Sequence, residues 1–403
     1  MIIKNDQLMK ILNRTISFLV GALFIFSGLI KLNDPTGTEI KLHEYFEVFK
    51  SDPYLGNLGA FWEFLAPYSL WLAIILTVLE VVLGFNLLLH HRAKTTLRSL
   101  LALIVFFTFL TFYSWFFDKV KDCGCFGDAI PLTPFQSFMK DVILTVMIVW
   151  LLIQRHQITP MLSVRVGSVL SILATIGATV FGFYTVRHLP VKDFRAYKVG
   201  ANLPANMKPK EKLKYGEELY IYKDLKEGKE LKIKGTDYTK DWKKYSDTTQ
   251  YKFVKLEKPL LNPEALPKIT DFKVFSTDGT DFTTQVLQGT KMYIVIPDVY
   301  KIKNGQKVVV TEASAYVKIG ALVKELRQNK IQPIVLTAAG AQDIEEFRHK
   351  VQLAVSYYFV DKKVLKTMIR ANPGLMLLKD GTVKGKWHHN DTPKIEAVTQ
   401  LLK

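Results

Sequence analysis

Cysteine is nearly absent. The chain of 403 residues has two, and both lie in Asp122-Cys123-Gly124-Cys125-Phe126-Gly127, one residue apart. A single pair rules out an internal relay between two cysteine pairs, and thiols kept this close read as a chemical unit rather than as packing. Zinc needs about four ligands in a structural site, and the chain's paired histidines, His90-His91 and His388-His389, are remote from the cysteines in sequence, so no metal site is expected. No nucleic-acid-binding motif accompanies the formal charge of +17, which argues against that class of partner. The lysines that produce the charge are interleaved with acids after Lys192, as in Lys208-Pro209-Lys210-Glu211-Lys212. They read first as a solvated face and second as a surface for anionic headgroups or cell-wall polymers. The first apolar run lacks a small-x-small cleavage site and is expected to stay as an anchor.

What the chain has in plenty is long apolar runs. They cover residues 16–30, 68–89, 97–117, 135–153 and 162–184, each near the ~20 residues that cross ~30 Å of hydrocarbon. Five spans are therefore expected. Two short connections, with His91, Arg92, Lys94 and Arg98 in one and Arg155, His156 and Arg165 in the other, are basic and free of acid. The positive-inside bias places them and the N-terminus in the cytoplasm, with the cysteines and everything after Arg187 outside it. In a bacterium that means an inner-membrane protein with a periplasmic C-terminal part, where a disulfide persists. The connection 34–63 carries Tyr45, Phe46, Phe49 and Phe61-Trp62 and is expected to lie partly along the interface as an amphipathic helix.

Beyond the spans, residues 188–263 read as a β-rich linker region, with alternating stretches at 218–222 and 230–234 expected as hairpin strands and the proline-punctuated 259–267 as its end. From 264 onward strands at 272–275, 292–296, 333–336, 374–378 and 383–387 alternate with helices at 315–328, 341–351 and 393–402, an α/β pattern of mixed strand direction.

The Cys-x-Cys spacing has a specific requirement. A disulfide across one residue closes only if that residue accepts an unusual backbone shape, which Gly124 supplies. A bond closed under strain is readily reduced and suits the passing on of oxidising equivalents. A static disulfide would close almost no loop and remove little unfolded-state entropy. Redox exchange at Cys123 and Cys125 is thus favoured over a static clip, half a zinc site, or two inert small residues. Ionisable groups within the apolar runs are the second signal. Glu80 sits mid-span and is costly there unless protonated or paired; it is read equally as a relay or headgroup contact and as a satisfied interhelical bond. Lys31 and Asp34 end the first span near the cysteine side, where Lys31 has room to snorkel. Lys140 and Asp141 open the fourth span and read as interfacial. One buried acid and no visible repeated half argue against a transporter.

Two blocks resemble the DoxX/MauE group of polytopic membrane proteins: Arg14 with Gly21-Ala22-Leu23-Phe24-Ile25-Phe26-Ser27-Gly28-Leu29-Ile30-Lys31 and Asp34-Pro35, and Cys123-Gly124-Cys125-Phe126-Gly127 followed by Phe138-Met139-Lys140-Asp141. The resemblance implies an α-helical membrane bundle, a four-helix unit over residues 1–157, with a fifth spanning helix at 158–187 as tether. It implies further a role in disulfide formation in exported proteins with a quinone as electron acceptor, for which Glu80, Trp115 and Phe126 are candidate lining residues, and Gly124, Gly127, Lys31 and Asp34 supporting ones. Residues 264–403 resemble a thioredoxin-like α/β domain of the TlpA-like kind. Ala371-Asn372-Pro373-Gly374 matches its cis-proline loop, which implies backbone exposed for strand-like pairing with a partner, through Asn372 and Pro373. Where that family carries Cys-x-x-Cys, this chain has Asp298-Val299-Tyr300-Lys301, so this domain has no thiol chemistry. Two functions follow as expectations. One is an inner-membrane thiol–disulfide oxidoreductase acting on exported proteins with reactive thiols, its C-terminal domain holding the client nearby. The other is a non-enzymatic membrane-anchored scaffold.

Overall fold

The computed structural model describes residues 2–120, 124–303 and 306–403. The N-terminal part is helical: α1 (Ile2–Asn33), α2 (Pro35–Ser51), α3 (Gly59–Leu65), α4 (Ser69–Leu88), α5 (Ala93–Phe117), α6 (Pro134–Ile153) and α7 (Val164–Arg187). Among the described residues five segments are long and apolar enough to cross a membrane: Gln7–Asn33, Gly56–Leu88, Ala93–Phe117, Pro134–Ile153 and Val164–Arg187. These are the five expected runs, with the largest shifts at the starts of the first two. α6 begins where Thr133 and Gln136 form a reciprocal capping box with Pro134 at the first helical position, which satisfies helix-end N–H groups and fixes the start. α1 and α4 approach so closely that a Cβ on Gly84 would fall 2.7 Å from the Gly21 carbonyl oxygen. Small residues at such crossings let backbones meet where lipid supplies no hydrophobic drive.

The connection after α1 is helical but not superficial. α2 starts at Asp34, whose Oδ1 accepts from the Gly37 N–H at 2.9 Å, with Pro35 next to it. It buries Leu42, Tyr45, Phe46 and Phe49, the first and third against Ala73 of α4 and the others against Leu110 and Tyr113 of α5. The aromatic pattern that reads as an interfacial helix is a packed seam of the bundle.

The C-terminal part continues with α8 (Leu203–Asn206), β1 (Leu219–Asp224), β2 (Glu230–Lys234), α9 (Gly235–Tyr245), β3 (Tyr251–Glu257), α10 (Thr283–Leu287), β4 (Thr290–Ile296), β5 (Tyr300–Lys303), β6 (Gln306–Val309), α11 (Ala313–Gln328), β7 (Gln332–Thr337), α12 (Ala341–Lys350), β8 (Tyr357–Phe359), α13 (Lys362–Met368), β9 (Gly374–Lys379), β10 (Thr382–His388) and α14 (Ile395–Gln400). One sheet runs β10-β9-β4-β7-β8. β4, β7 and β8 are parallel, while β9 runs antiparallel to β4 and β10 antiparallel to β9. Apolar clusters cover both faces, and the whole is a thioredoxin-like arrangement. A second sheet, β2-β1-β3, is antiparallel; its helix α9 lays Tyr238 on Tyr220 with ring centroids 4.0 Å apart.

Two expectations change here. The stretch 272–275 is not a strand: Phe275 makes isolated bridges to Asp281 and Phe359, and the Val274 N–H is taken by Thr283 Oγ1 at 2.9 Å, so the local turn displaces a ladder. Nor does the region 188–263 stand apart from the domain that follows. Tyr197 and Leu203 are buried in the core shared with β4 and β9, because their apolar side chains find there the burial a free linker would deny them.

The domain is seated on the bundle at the end that carries the 124–130 loop. Asn33 and Lys192 exchange bonds of 2.8 and 3.0 Å, and Asn390 Nδ2 reaches the Arg187 carbonyl at 2.7 Å. His188 Nδ1 lies 2.8 Å from Asp391. Beside this joint His388 is buried, and burial, reinforced by the neighbouring His389, pushes its imidazole from 6.5 down to about 4. A group with a folded pKa below its unfolded one leaves stability intact above 6.5 and removes it as pH falls toward 4. The domain should therefore melt lower at pH 4.5 than at pH 7. His388→Gln should flatten that difference in thermal unfolding scans; an unaltered pH slope would assign the effect to other groups.

Candidate functional site

The loop between α5 and α6 is shaped by two glycines in the left-handed region, Gly124 at φ 64° and Gly127 at φ 50°. That backbone is open to glycine and costly for side chains. Tight turns follow, with the Gly127 N–H donating to the Gly124 carbonyl at 3.1 Å and the Ala129 N–H to the Phe126 carbonyl at 3.2 Å. Phe126 is thereby turned inward, 8% exposed, with its ring centroid 5.7 Å from that of Phe26 on α1. Cys125 is a free thiol. Cys123 lies outside the described residues.

Beneath the loop is a cavity of about 690 Å³. Its walls in the bundle include Leu23, Phe24, Ile104, Phe107, Leu144 and Phe126, and its outer end runs between α2 and α13. Two carboxylates and two ammonium groups project into this apolar setting. Lys31 turns inward rather than snorkelling and meets Glu80 at 2.5 Å, both almost wholly buried, with its Nζ 4.5 Å over the Phe107 ring. Lys140 Nζ lies 2.6 Å from Asp141, whose side chain is fully enclosed, and 5.3 Å over the Phe126 ring. Thr111 Oγ1 donates to the other Asp141 oxygen at 3.0 Å. The Ser27 hydroxyl ties the two halves together, 2.9 Å from Glu80 Oε2 and 3.0 Å from the Cys125 carbonyl; its single proton serves one acceptor at a time. Charges in such surroundings persist when paired, and an aromatic face adds a further attraction to each cation.

The thiol of Cys125 feels this set. Burial pushes it up from its ordinary value, Lys140 and Lys31 pull it down, and Asp141 opposes them, with burial prevailing. At the outer end Arg370, one residue before the cis-proline loop begins, donates from Nε to both Asp34 oxygens at 3.0 and 2.9 Å and lies 3.4 Å from Asp128 in the cysteine loop. Asp34 thus both caps α2 and holds the domain. Deeper in the joint, Asp193 sits between Arg195 at 2.8 Å and Lys386 at 2.6 Å. Burial alone would raise its carboxyl; the two cations hold it at about 2.

Of the residues expected at the site, Cys125, Phe126, Glu80, Lys31, Gly124, Gly127 and Asp34 gather around one cavity. Trp115 does not line it. That indole is 42% exposed and stacks on Phe138 at 5.2 Å, on the outer face of α5 and α6. Asn372 and Pro373 are joined by a cis bond, yet their backbone is not open for pairing. Pro373 is buried, its carbonyl faces His389 Nδ1 at 3.1 Å, the Asn372 carbonyl accepts from Thr311, and Asn372 Nδ2 is spent on the Asp298 carbonyl at 2.7 Å. Sequence reasoning missed Lys140–Asp141 as a cavity pair, Thr111, Phe107 and Arg370. A signal for Asp141 existed: Ser137, Asp141, Leu144, Ile148 and Leu151 form the buried stripe of α6 at helical spacing, so the acid belongs to the inner face.

The fold and site define a polytopic membrane protein with a half-buried thiol over a charged cavity, closed by a thioredoxin-like domain without cysteines. Comparison with known proteins adds the lineage of the bundle. Residues 9–154 match the family model described as methylamine utilisation protein MauE, so the N-terminal part is MauE-like. A curated relative, Protein TlpB of Flavobacterium psychrophilum, is 31% identical over 142 residues, 34% of this chain and 35% of that protein. The match thus spans about a third of the relative's length.

Proposed function

We propose that this chain is a thiol–disulfide oxidoreductase of the bacterial inner membrane, with its N-terminus cytoplasmic and its cysteine loop and C-terminal domain periplasmic. The Cys123–Cys125 disulfide accepts two electrons and two protons from a client dithiol, which leaves as a disulfide. The resulting Cys123 and Cys125 thiols then give up the same electrons and protons to an acceptor, and the sulfur–sulfur bond re-forms. The carrying observation is the position of Cys125 at the head of a cavity with apolar walls and buried ammonium groups.

A lipid quinone is the acceptor whose chemistry suits such a cavity: a flat apolar ring wants aliphatic and aromatic walls, and its oxygens want donors. Leu23, Ile104, Phe107 and Leu144 are walls of that kind, and Lys31 and Lys140 are donors of that kind. When bound, a quinone supplies a sink for two electrons and two protons. The chain's own residues do the rest. Phe126 and Phe107 hold the ammonium groups in place, Ser27 fixes the Cys125 backbone, and the apolar walls keep water from the deep end.

Trapping tests the reading. Cys123→Ala and Cys125→Ala chains, expressed singly, should accumulate mixed disulfides with an exported protein on non-reducing gels, and the double variant should fail to replace the native chain. Full replacement by the double variant, with no adduct from either single one, would leave the scaffold reading in possession.

A further inference from the structure

We propose that Lys140, aimed by Asp141, is the cation that stabilises the Cys125 thiolate, a positioning role. The inference rests on the thiol chemistry proposed above and assigns a task to a pair that lies outside the cysteine motif.

The geometry is built from three elements. Asp141 is fixed first: Thr111 of α5 donates to Oδ2 at 3.0 Å, and the carboxylate is wholly enclosed. Its Oδ1 then holds Lys140 Nζ at 2.6 Å. The Nζ held there lies 5.3 Å over the ring of Phe126, the residue after Cys125. The cation is therefore placed against the loop by the same ring that seats the loop on α1. Lys31, the other ammonium on this wall, pairs with Glu80 at 2.5 Å on the far side of Ser27 and acts on the thiol less strongly than Lys140. The charged groups around the thiol are Lys31 from α1, Lys41 from α2, Glu80 from α4, and Lys140 and Asp141 from α6, all on the cavity wall. Of the cations that favour the thiolate against burial, Lys140 acts most strongly, and Asp141 works in the opposite sense.

In the step concerned the S–H bond of Cys125 breaks, the electron pair stays on Sγ, and the proton leaves to water at the cavity mouth. The ammonium group of Lys140 keeps its protons throughout and compensates the new charge. An unpaired thiolate in this setting would bear the full cost of desolvation.

The test is the pH profile of iodoacetamide labelling of Cys125 in the full-length Cys123→Ser chain, which needs no client, no quinone and no turnover. Lys140→Met should raise the midpoint of the labelling rate by about one pH unit, roughly tenfold less thiolate at any pH below it. Lys140→Arg should keep the parent midpoint. Asp141→Asn keeps a side-chain oxygen to hold Lys140 Nζ while removing the opposing charge, and should lower the midpoint, also by about one unit. Opposite shifts from adjacent residues are not what loosened packing produces. Unchanged midpoints, or shifts of the same sign in Lys140→Met and Asp141→Asn, would overturn the assignment. The oxidoreductase reading would still stand or fall on the trapping experiment, since labelling reports the thiolate alone.

Discussion

Arg370→Glu should release the C-terminal domain from the bundle and open Cys125 to reagents that the native chain keeps out. Arg370 is the link with the most to lose. Its side chain is 8% exposed, and it spans from the thioredoxin-like domain to Asp34 at the start of α2 and to Asp128 in the cysteine loop. Other bonds of the joint, Asn33 to Lys192 and Asn390 to Arg187, lie close to the chain crossover itself and hold the tether rather than the far side of the domain. Removing one partner of a buried pair costs about 3–5 kcal/mol, and a reversed charge adds repulsion from the two aspartates. Even half of that, spent on the closed arrangement, corresponds to at least about a tenfold rise in the open population. Labelling of Cys125 by a maleimide bearing a polyethylene glycol of several kilodaltons, in the Cys123→Ser chain, should accelerate by at least about that factor. Small iodoacetamide should gain much less. Equal rates before and after the substitution would mean that the clasp does not close the cavity. The experiment also bears on substrate size, because a protein client reaches Cys125 only if this face separates.

The spans were legible because a bilayer imposes a length and an apolar composition that few other structures share. The cysteine loop drew attention for a different reason: two thiols one residue apart in a chain otherwise without them read as a chemical unit. Glu80 announced itself by its cost in mid-span. Its partner did not, because Lys31 lies at a helix end where a lysine has two places to go, and only the packing of α1 on α4 decides between them. Lys140–Asp141 was hidden by the same ambiguity, since charges at the first turn of a span ordinarily face the interface. In the second sheet, β1 and β2 show alternation, while the short polar helix α9 carries Tyr238, Trp242 and Tyr245 at helical spacing, and two of these pack against Tyr222 of β1. Arg370 was beyond reach from sequence. Nothing local marks an arginine as the contact of two residues that precede it by 336 and 242 positions.

Glu80→Ala should be the most destabilising single change in the membrane domain. It strands the Lys31 ammonium among Phe107, Leu23 and Phe24 and strips the Ser27 hydroxyl of one of its two acceptors. A buried charge left without its partner costs about 3–5 kcal/mol, and thermal unfolding of the purified chain in detergent or in lipid discs should show a correspondingly large fall in Tm. The control is the pair replacement Lys31→Met with Glu80→Leu. Two apolar side chains of similar volume carry no desolvation penalty, so this double variant should regain most or all of the lost stability, as buried pairs often do when replaced together. What it should not regain is turnover, if the deep end of the cavity needs a donor beside the acceptor's oxygens. A double variant that is as stable as the native chain and still trapped as a mixed disulfide, yet fails to be reoxidised, would place the ion pair on the acceptor side of the reaction. One that is reoxidised at the native rate would reduce Lys31 and Glu80 to a structural link and leave Lys140 as the cavity's working cation.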